Sequence, residues 1–330
     1  MLVMENVQSQ PSHAKNRAWL ILFLSVLSAA IAYVLPAALL IAPALWAYTG
    51  ARMKPAFIAL PAALYGALAL TTYASMETAL GLSLSAAAAA VAVYYMLTRK
   101  MSNAYTGLTL AGIFLVGLYA AVCLPGVLSG AGAFSSAQAA IHETISLYRV
   151  AAQQMSGLNA DSLALVNENL DAFSKAVPSF LVGGLCAGAG VLGLSNLLFF
   201  RLFCRKHTEI SISPMRAFRL WTMPRSMMLG LFALLIGSFV LEWAGWTYAD
   251  GLSNTVNVLV AMPLLLQGLC VVDFFLARKP QRATTSRVIT YTLLTVLFGF
   301  LQTPLILLGC LEQIVRIRDR IQNTPPKAAF

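Results

Sequence analysis

An all-α bundle threaded eight or nine times through a lipid bilayer, with one pair of amphipathic helices outside it, is the fold the sequence predicts. Three observations predict it. Of the 330 residues, 59% are hydrophobic and only 10% charged, against roughly 25% charge in an ordinary soluble domain. The apolar residues gather into runs of about 20, long enough to cross a hydrocarbon core of roughly 30 Å at 1.5 Å per residue. The lysines and arginines behind the net charge of +10 fall in the connections between those runs, where they mark the cytoplasmic side. They form topology markers rather than a phosphate-tracking surface, so no nucleic-acid partner is expected.

The chain divides into a polar cytoplasmic tail (1–17), a single transmembrane domain (18–312) and a basic tail (313–330). Lys15 and Arg17 ahead of an apolar stretch, with Ala30-Ile31-Ala32 after it, imitate a signal peptide. The apolar character runs on uncharged through Pro36 and Pro43 to Gly50, more than one crossing needs, so two short helices turning near Pro36 are expected instead. Ser25/Ala29 and Ser28/Ala32 give this region small residues at the spacing that lets helices approach. Crossings follow over about Ala56–Tyr73, Ala79–Leu97 and Ala104–Leu124, with Glu77 in the turn between the first two and Pro125-Gly126 closing the third.

Residues 133–177 differ in kind. Ile141, Ile145, Tyr148, Ala152 and Met155 recur at helical spacing, and after Gly157 a second stripe runs through Leu163, Val166, Leu170, Phe173 and Val177, with Asp161 as its expected N-cap. Acidic residues outnumber basic ones here, which suits the extracytoplasmic side. A helical flap lying on the outer surface is the expectation. From Pro178 to Phe203 the next crossing opens with VGGLCAGAGVLG, where Gly184 and Gly188 form a G-x-x-x-G and predict a tight helix crossing. Asn196 below them is positioned to bond across helices.

The connection 201–225 is the most basic in the chain and must be cytoplasmic. Ser213-Pro214 reads as an N-cap and first helical residue, followed by a short surface helix with Met215, Phe218 and Trp221 opposite Arg216 and Arg219. With Arg225 these side chains are candidates for contact with anionic lipid headgroups or with a cytoplasmic partner subunit. The next crossing, from Met227, ends in Glu242 and an aromatic belt of Trp243, Trp246 and Tyr248.

The stretch from Ser253 to Arg282 is the apolar run that also carries placed polar groups: Asn257, Gln267 at mid-span and Asp273 ahead of Arg278, Lys279 and Arg282. A carboxylate at a bilayer centre costs on the order of 2.5–3.5 kcal/mol, so Asp273 must face protein, water or arginine rather than lipid. It is either an interfacial carboxylate paired with that basic cluster or a working residue. The last run, Val288–Leu311, is interrupted by Gln302-Thr303-Pro304. Counting each run after Arg52 as one crossing leaves the basic tail, Arg316, Arg318 and Arg320, outside, against the positive-inside tendency. Either the run doubles back near Pro304 as a short hairpin or the tail is an exception.

Three stretches, FRLWTMPRSMMLGLFALLIGSF, NTVNVLVAMPLLLQGLCVVDFFLARK and LLGCLEQIVRIRDR, resemble the C-terminal half of the YybS-like family of uncharacterised bacterial integral membrane proteins. Leu35-Pro36 followed by Tyr48 to Arg52 resembles that family's start. The distinctive pieces are L-Q-G-L-x-V-x-D-F-F and M-P-R. The chain departs from the family pattern at Ile314-Val315-Arg316, where an aromatic usually precedes the basic pair. The family is similar in outline to the substrate-capturing membrane subunits of energy-coupling-factor vitamin transporters. The resemblance therefore implies an inner-membrane, multi-pass subunit that binds a small molecule and borrows cytoplasmic ATPase or coupling subunits.

The sequence has no G-x-x-x-x-G-K-[ST] loop, H-E-x-x-H or G-x-S-x-G, and His13, His142 and His207 lie in separate segments, so no enzyme activity and no cofactor is expected. The five cysteines contain no C-x-x-C and read as small buried hydrophobes. Two functions remain. In the first, Gln267, Asp273 and Asn257, with Glu242 outermost, line a substrate cavity and the 201–225 connection meets an energy-supplying partner. In the second, the protein is a structural or regulatory scaffold without a ligand.

Overall fold

The computed structural model describes residues 11–72, 75–154, 159–205, 210, 212, 214–246, 249–278 and 283–323. Tyr73, Met155, Gly157, Lys206, His207, Glu209, Ser213, Thr247, Tyr248, Lys279, Arg282 and the chain beyond 323 lie outside the described residues. Every regular element among the described residues is helical. In order they are α1 (Pro11–Val34), α2 (Ala42–Arg52), α3 (Ala59–Thr72), α4 (Met76–Thr98), α5 (Asn103–Leu128), α6 (Ser135–Gln154), α7 (Ala160–Cys204), α8 (Arg225–Trp243), α9 (Ala249–Ala277), α10 (Ala283–Val296), α11 (Phe298–Val315) and α12 (Ile317–Asn323). Among the described residues, six helical segments are long and apolar enough to cross a membrane: α4, α5, Phe180–Cys204 of α7, α8, α9 and α11. Ala18–Val34 and Pro55–Thr71 are shorter apolar helices. Their outward surfaces are apolar: Val116 is 71% exposed and Leu229 69%. A soluble protein leaves no such continuous face to water, whereas lipid solvates it.

The chain forms two compact units, Met1–Pro178 with Gly188–Ser213, and Ser179–Ala187 with Pro214–Phe330. In the first, the helix ends at Val34, ahead of Pro36 as expected, and a 3-10 turn over Pro36–Leu40 leads into α2. The break would strand backbone groups in an apolar interior. Asn196 of α7, fully buried, resolves this: its Oδ1 accepts from the Ala44 N–H at 2.9 Å, and its Nδ2 donates to the carbonyls of Leu39 (3.0 Å) and Leu192 (2.9 Å). The α1–α2 pair is further joined by the Ser25–Thr49 hydroxyl contact and by the Trp46 indole donating to Ser28 Oγ at 3.1 Å.

α4 and α5 approach closely through Gly81 and Gly117; a Cβ on Gly81 would sit 2.8 Å from the Ala121 N. Thr78 also donates to the Ala121 carbonyl at 2.9 Å. That carbonyl is the one Pro125, lacking an N–H, leaves unbonded. With it satisfied, α5 continues through Pro125-Gly126 to Leu128 rather than closing there. Glu77 likewise lies not in a turn but in the first turn of α4, behind the N-cap Ser75, where its charge complements the helix dipole.

Residues 135–204 depart from the expectation in one respect. α7 runs 45 residues, about 67 Å at 1.5 Å per residue, so the second amphipathic stripe and the following crossing are one helix. Its N-cap is Asn159, whose side chain accepts from the Ser162 N–H at 2.8 Å, and Asp161 sits within the first turn. α6 lies antiparallel beside it, tied by the Arg149–Asp171 ion pair and a 3.4 Å contact between Ser174 and His142. This is a hairpin extending α7 beyond its apolar segment, not a flap of separate helices.

In the second unit, α8 and α10 flank α9, and α11 crosses α9 at Gly268 and Gly309. A Cβ on either would collide with the facing backbone carbonyl, of Leu305 and Leu264 respectively. The last apolar run breaks at Leu297, between α10 and α11, while the helix passes through Pro304. α10 comes back alongside α9, with Arg287 beside Asp273, and the far end of α11 lies beside the segment that enters α8, where Arg318 donates to the Arg219 and Trp221 carbonyls. The basic tail therefore shares a side with Arg216 and Arg219, which resolves the conflict noted in the sequence. The expected G-x-x-x-G contact does not form: a Cβ on Gly184 would meet nothing within 4 Å, and one on Gly188 would meet Leu118 at 3.9 Å. The close approaches fall one position before and five after, at Gly183 against Thr255 and Val258 (3.2–3.3 Å) and at Gly193 against Ala111 (2.6 Å).

Candidate functional site

The site begins with the Gly268–Gly309 crossing. Because neither position has a side chain, the two helices meet backbone to backbone, and Gln267, next to Gly268, is 3% exposed. It lies ten residues before the end of α9 at Ala277, about 15 Å of rise. Its amide makes no hydrogen bond to any described residue.

α11 ends at Val315, and Arg316 takes a left-handed conformation (φ 52°, ψ 56°) with its N–H donating to the Glu312 carbonyl at 3.0 Å. A non-glycine residue there costs roughly 1–2 kcal/mol. The reversal folds α12 back onto α11. Arg318 thereby returns to Glu312, with Nε 2.7 Å from Oε1 and the side chains only 4% and 5% exposed. The same guanidinium donates to the carbonyls of Arg219 (2.7 Å) and Trp221 (3.0 Å). Those bonds hold residues 214–224 in an extended course with a single 3-10 turn at Phe218–Leu220, in place of the expected surface helix. Trp221 adds a bond from its indole to the Arg216 carbonyl at 2.9 Å and stacks edge-on against Phe218. A buried guanidinium needing several acceptors has overridden local helix preference.

Between these walls lies a cavity of about 440 Å³. Arg216, Arg219, Arg225, Arg316 and Arg318 line it with Gln267, Gln313, Glu312 and Asp319. Arg318 has its carboxylate, and the other four arginines have no ion-pair partner among the described residues. The described lining of arginines, amides, carboxylates and Thr222 offers electrostatic and hydrogen-bonding recognition. No group of three or more His, Cys, Asp or Glu able to hold a metal occurs among the described residues.

The expected residues part company here. Gln267, Arg216, Arg219 and Arg225 line the cavity, and Trp221, outside the lining, braces the 214–224 segment through its bond to the Arg216 carbonyl. Asp273, 7% exposed, lies elsewhere. It pairs with Arg287 of α10, with Nε 2.8 Å from Oδ1 and Nη2 donating to Oδ2 at 3.4 Å; of the expected basic cluster, Lys279 and Arg282 lie outside the described residues. Asn257 and Glu242 are exposed and do not join Gln267. Glu312, Arg316 and Arg318 were not singled out as a site. The available signal was a lone carboxylate inside an apolar run, followed six residues later by arginine.

Buried ion pairs, carbonyls stitched across broken helices and six long apolar helices with apolar outer faces together define a polytopic helical membrane protein. The chain belongs to the family described as predicted membrane protein, DUF2232, whose profile matches residues 18–311. No curated protein and no solved structure matches the chain.

Proposed function

We propose that the protein is a small-molecule-binding subunit of a membrane transport system, of the inner membrane, that depends on partner proteins for energy. The observation that carries this reading is Gln267: a side chain only 3% exposed that lines a cavity of ligand size. Pockets for small molecules occupy about 300–1,000 Å³ and place a few polar groups at fixed positions, and the Gln267 amide opens onto this one from the α9–α11 crossing. The likeness in outline to energy-coupling-factor subunits, and the lack of any nucleotide-binding loop, support dependence on a cytoplasmic ATPase. The protein binds rather than catalyses.

In this reading the six long helices, α1 and the Pro55–Thr71 segment are eight full-length crossings, and the shorter α2 and α10 carry the chain back between successive ones, ten passages in all. Lys15, Arg17 and the basic cavity then face the cytoplasm and the α6–α7 hairpin faces outward, as the positive-inside tendency favours. Mass spectrometry of the detergent-purified protein, for small molecules and for co-purifying ATPase subunits, tests the function. A metabolite retained by the wild type and lost in Gln267→Ala supports transport. Recovery of a protein partner with no ligand supports the scaffold reading instead.

A further inference from the structure

We infer that the Arg-lined cavity is an anion site whose ligand carries a phosphate group held by Arg216, Arg219, Arg225 and Arg316 around the Gln267 amide. The inference rests on the binding reading proposed above and specifies its ligand. Five arginines face two carboxylates in this cavity, an excess of three positive charges. Arg318 and Glu312 satisfy one another and the backbone, so the remaining excess sits on the four other guanidiniums, with Asp319 as the single opposing charge. Like charges gathered beside a low-dielectric interior repel, and an anion relieves that repulsion most when it carries more than one negative charge. Guanidinium forks match phosphate oxygens with paired N–H donors, and the Gln267 amide adds a neutral donor at the inner end.

The walls are built before a ligand arrives. Arg318 pins the Arg219 and Trp221 carbonyls, which sets where Arg219 and Arg216 project. The left-handed turn at Arg316 is the second fixed wall, and backbone held in this costly region gathers at functional sites. The phosphate comes from one of two sources, a free phosphorylated molecule or the headgroup of an anionic phospholipid.

The test uses the full chain in nanodiscs of phosphatidylcholine, with and without phosphatidylglycerol, and pyrophosphate as the soluble probe, read by Trp fluorescence and by thermal midpoint. Pyrophosphate raises the midpoint in phosphatidylcholine discs if the ligand is free; a rise only on adding phosphatidylglycerol assigns the headgroup. Either response weakens as salt increases. It falls at least tenfold in apparent affinity in Arg225→Gln and in Arg316→Gly, the second of which keeps the left-handed turn because glycine adopts it freely. No response to either anion, with both variants as stable as the wild type, overturns the inference. Binding of a co-purified neutral or cationic metabolite that needs Gln267 overturns the phosphate assignment while leaving the transport reading intact. A response to phosphatidylglycerol alone keeps the phosphate site and removes the support for transport.

Discussion

The guanidinium of Arg318 meets the carboxylate of Glu312 at 2.7 Å with both side chains almost fully buried, and it is held there by the left-handed turn at Arg316. Removing one partner of such a pair leaves an uncompensated charge and costs about 3–5 kcal/mol. The two partners are not equivalent, because Arg318 also donates to two loop carbonyls. Arg318→Met is therefore expected to destabilise more than Glu312→Gln. Glu312→Leu with Arg318→Met should recover part of the loss, since no buried charge remains. Thermal unfolding of the four proteins in one detergent checks the order, and limited proteolysis within 214–224 should accelerate in both Arg318→Met proteins.

Asn196 makes a second, independent prediction. Its three bonds serve backbone groups on both sides of the break between α1 and α2. Asn196→Ala leaves the Ala44 N–H and the Leu39 carbonyl without it, at about 1–3 kcal/mol for each buried group stranded. Asn196→Asp retains the acceptor and loses both donors, so it should also destabilise. An isosteric Asn196→Leu that unfolds at the same temperature as the wild type would remove the stitching role.

Much of this was legible because bilayer solvation is a coarse constraint. Run length identified most of the long apolar helices, and proline the turn at 36. Gln267 and Asn196 stood out because a polar side chain in an apolar run must find a partner. The pairings were less legible. Asp273 pairs with Arg287, fourteen positions on, because α10 folds back, and no local pattern in the sequence marks that partner. Glu312 and Arg318 meet through a left-handed turn at a residue type that rarely adopts one. The helix expected after Pro214 had the right local pattern, but local pattern does not register a guanidinium that needs its carbonyls. Spacing of small residues does not reveal which face meets a neighbour, so Gly184 and Gly188 looked equivalent to the positions that are used.

The glycines offer a direct comparison. At Gly268 and Gly309 a methyl group would meet a backbone carbonyl, which cannot swing aside as a side chain can. Gly268→Ala and Gly309→Ala are each expected to force α9 and α11 apart, with a loss in the 1–3 kcal/mol range of overpacked cores. Gly184→Ala, which meets nothing within 4 Å, should be neutral or slightly stabilising, since alanine favours a helix over glycine by about 1 kcal/mol. Equal effects at the three sites, measured as unfolding midpoints, would contradict the α9–α11 crossing.

The proposed topology is checked with single cysteines. Gln153 on α6 is exposed, as are Thr222 on the segment pinned by Arg318 and Arg320 on α12. The native cysteines are buried or half-buried and should react slowly with a membrane-impermeant maleimide. Gln153→Cys is expected to label in intact cells, whereas Thr222→Cys and Arg320→Cys should label only after permeabilisation. The Arg320 result is the decisive one, because it depends on the break at Leu297 returning α11 to the side where α8 begins. If Arg320→Cys labels in intact cells while Thr222→Cys does not, the α10–α11 reversal is wrong, and the arginines of the tail cannot share a cavity with Arg216 and Arg219.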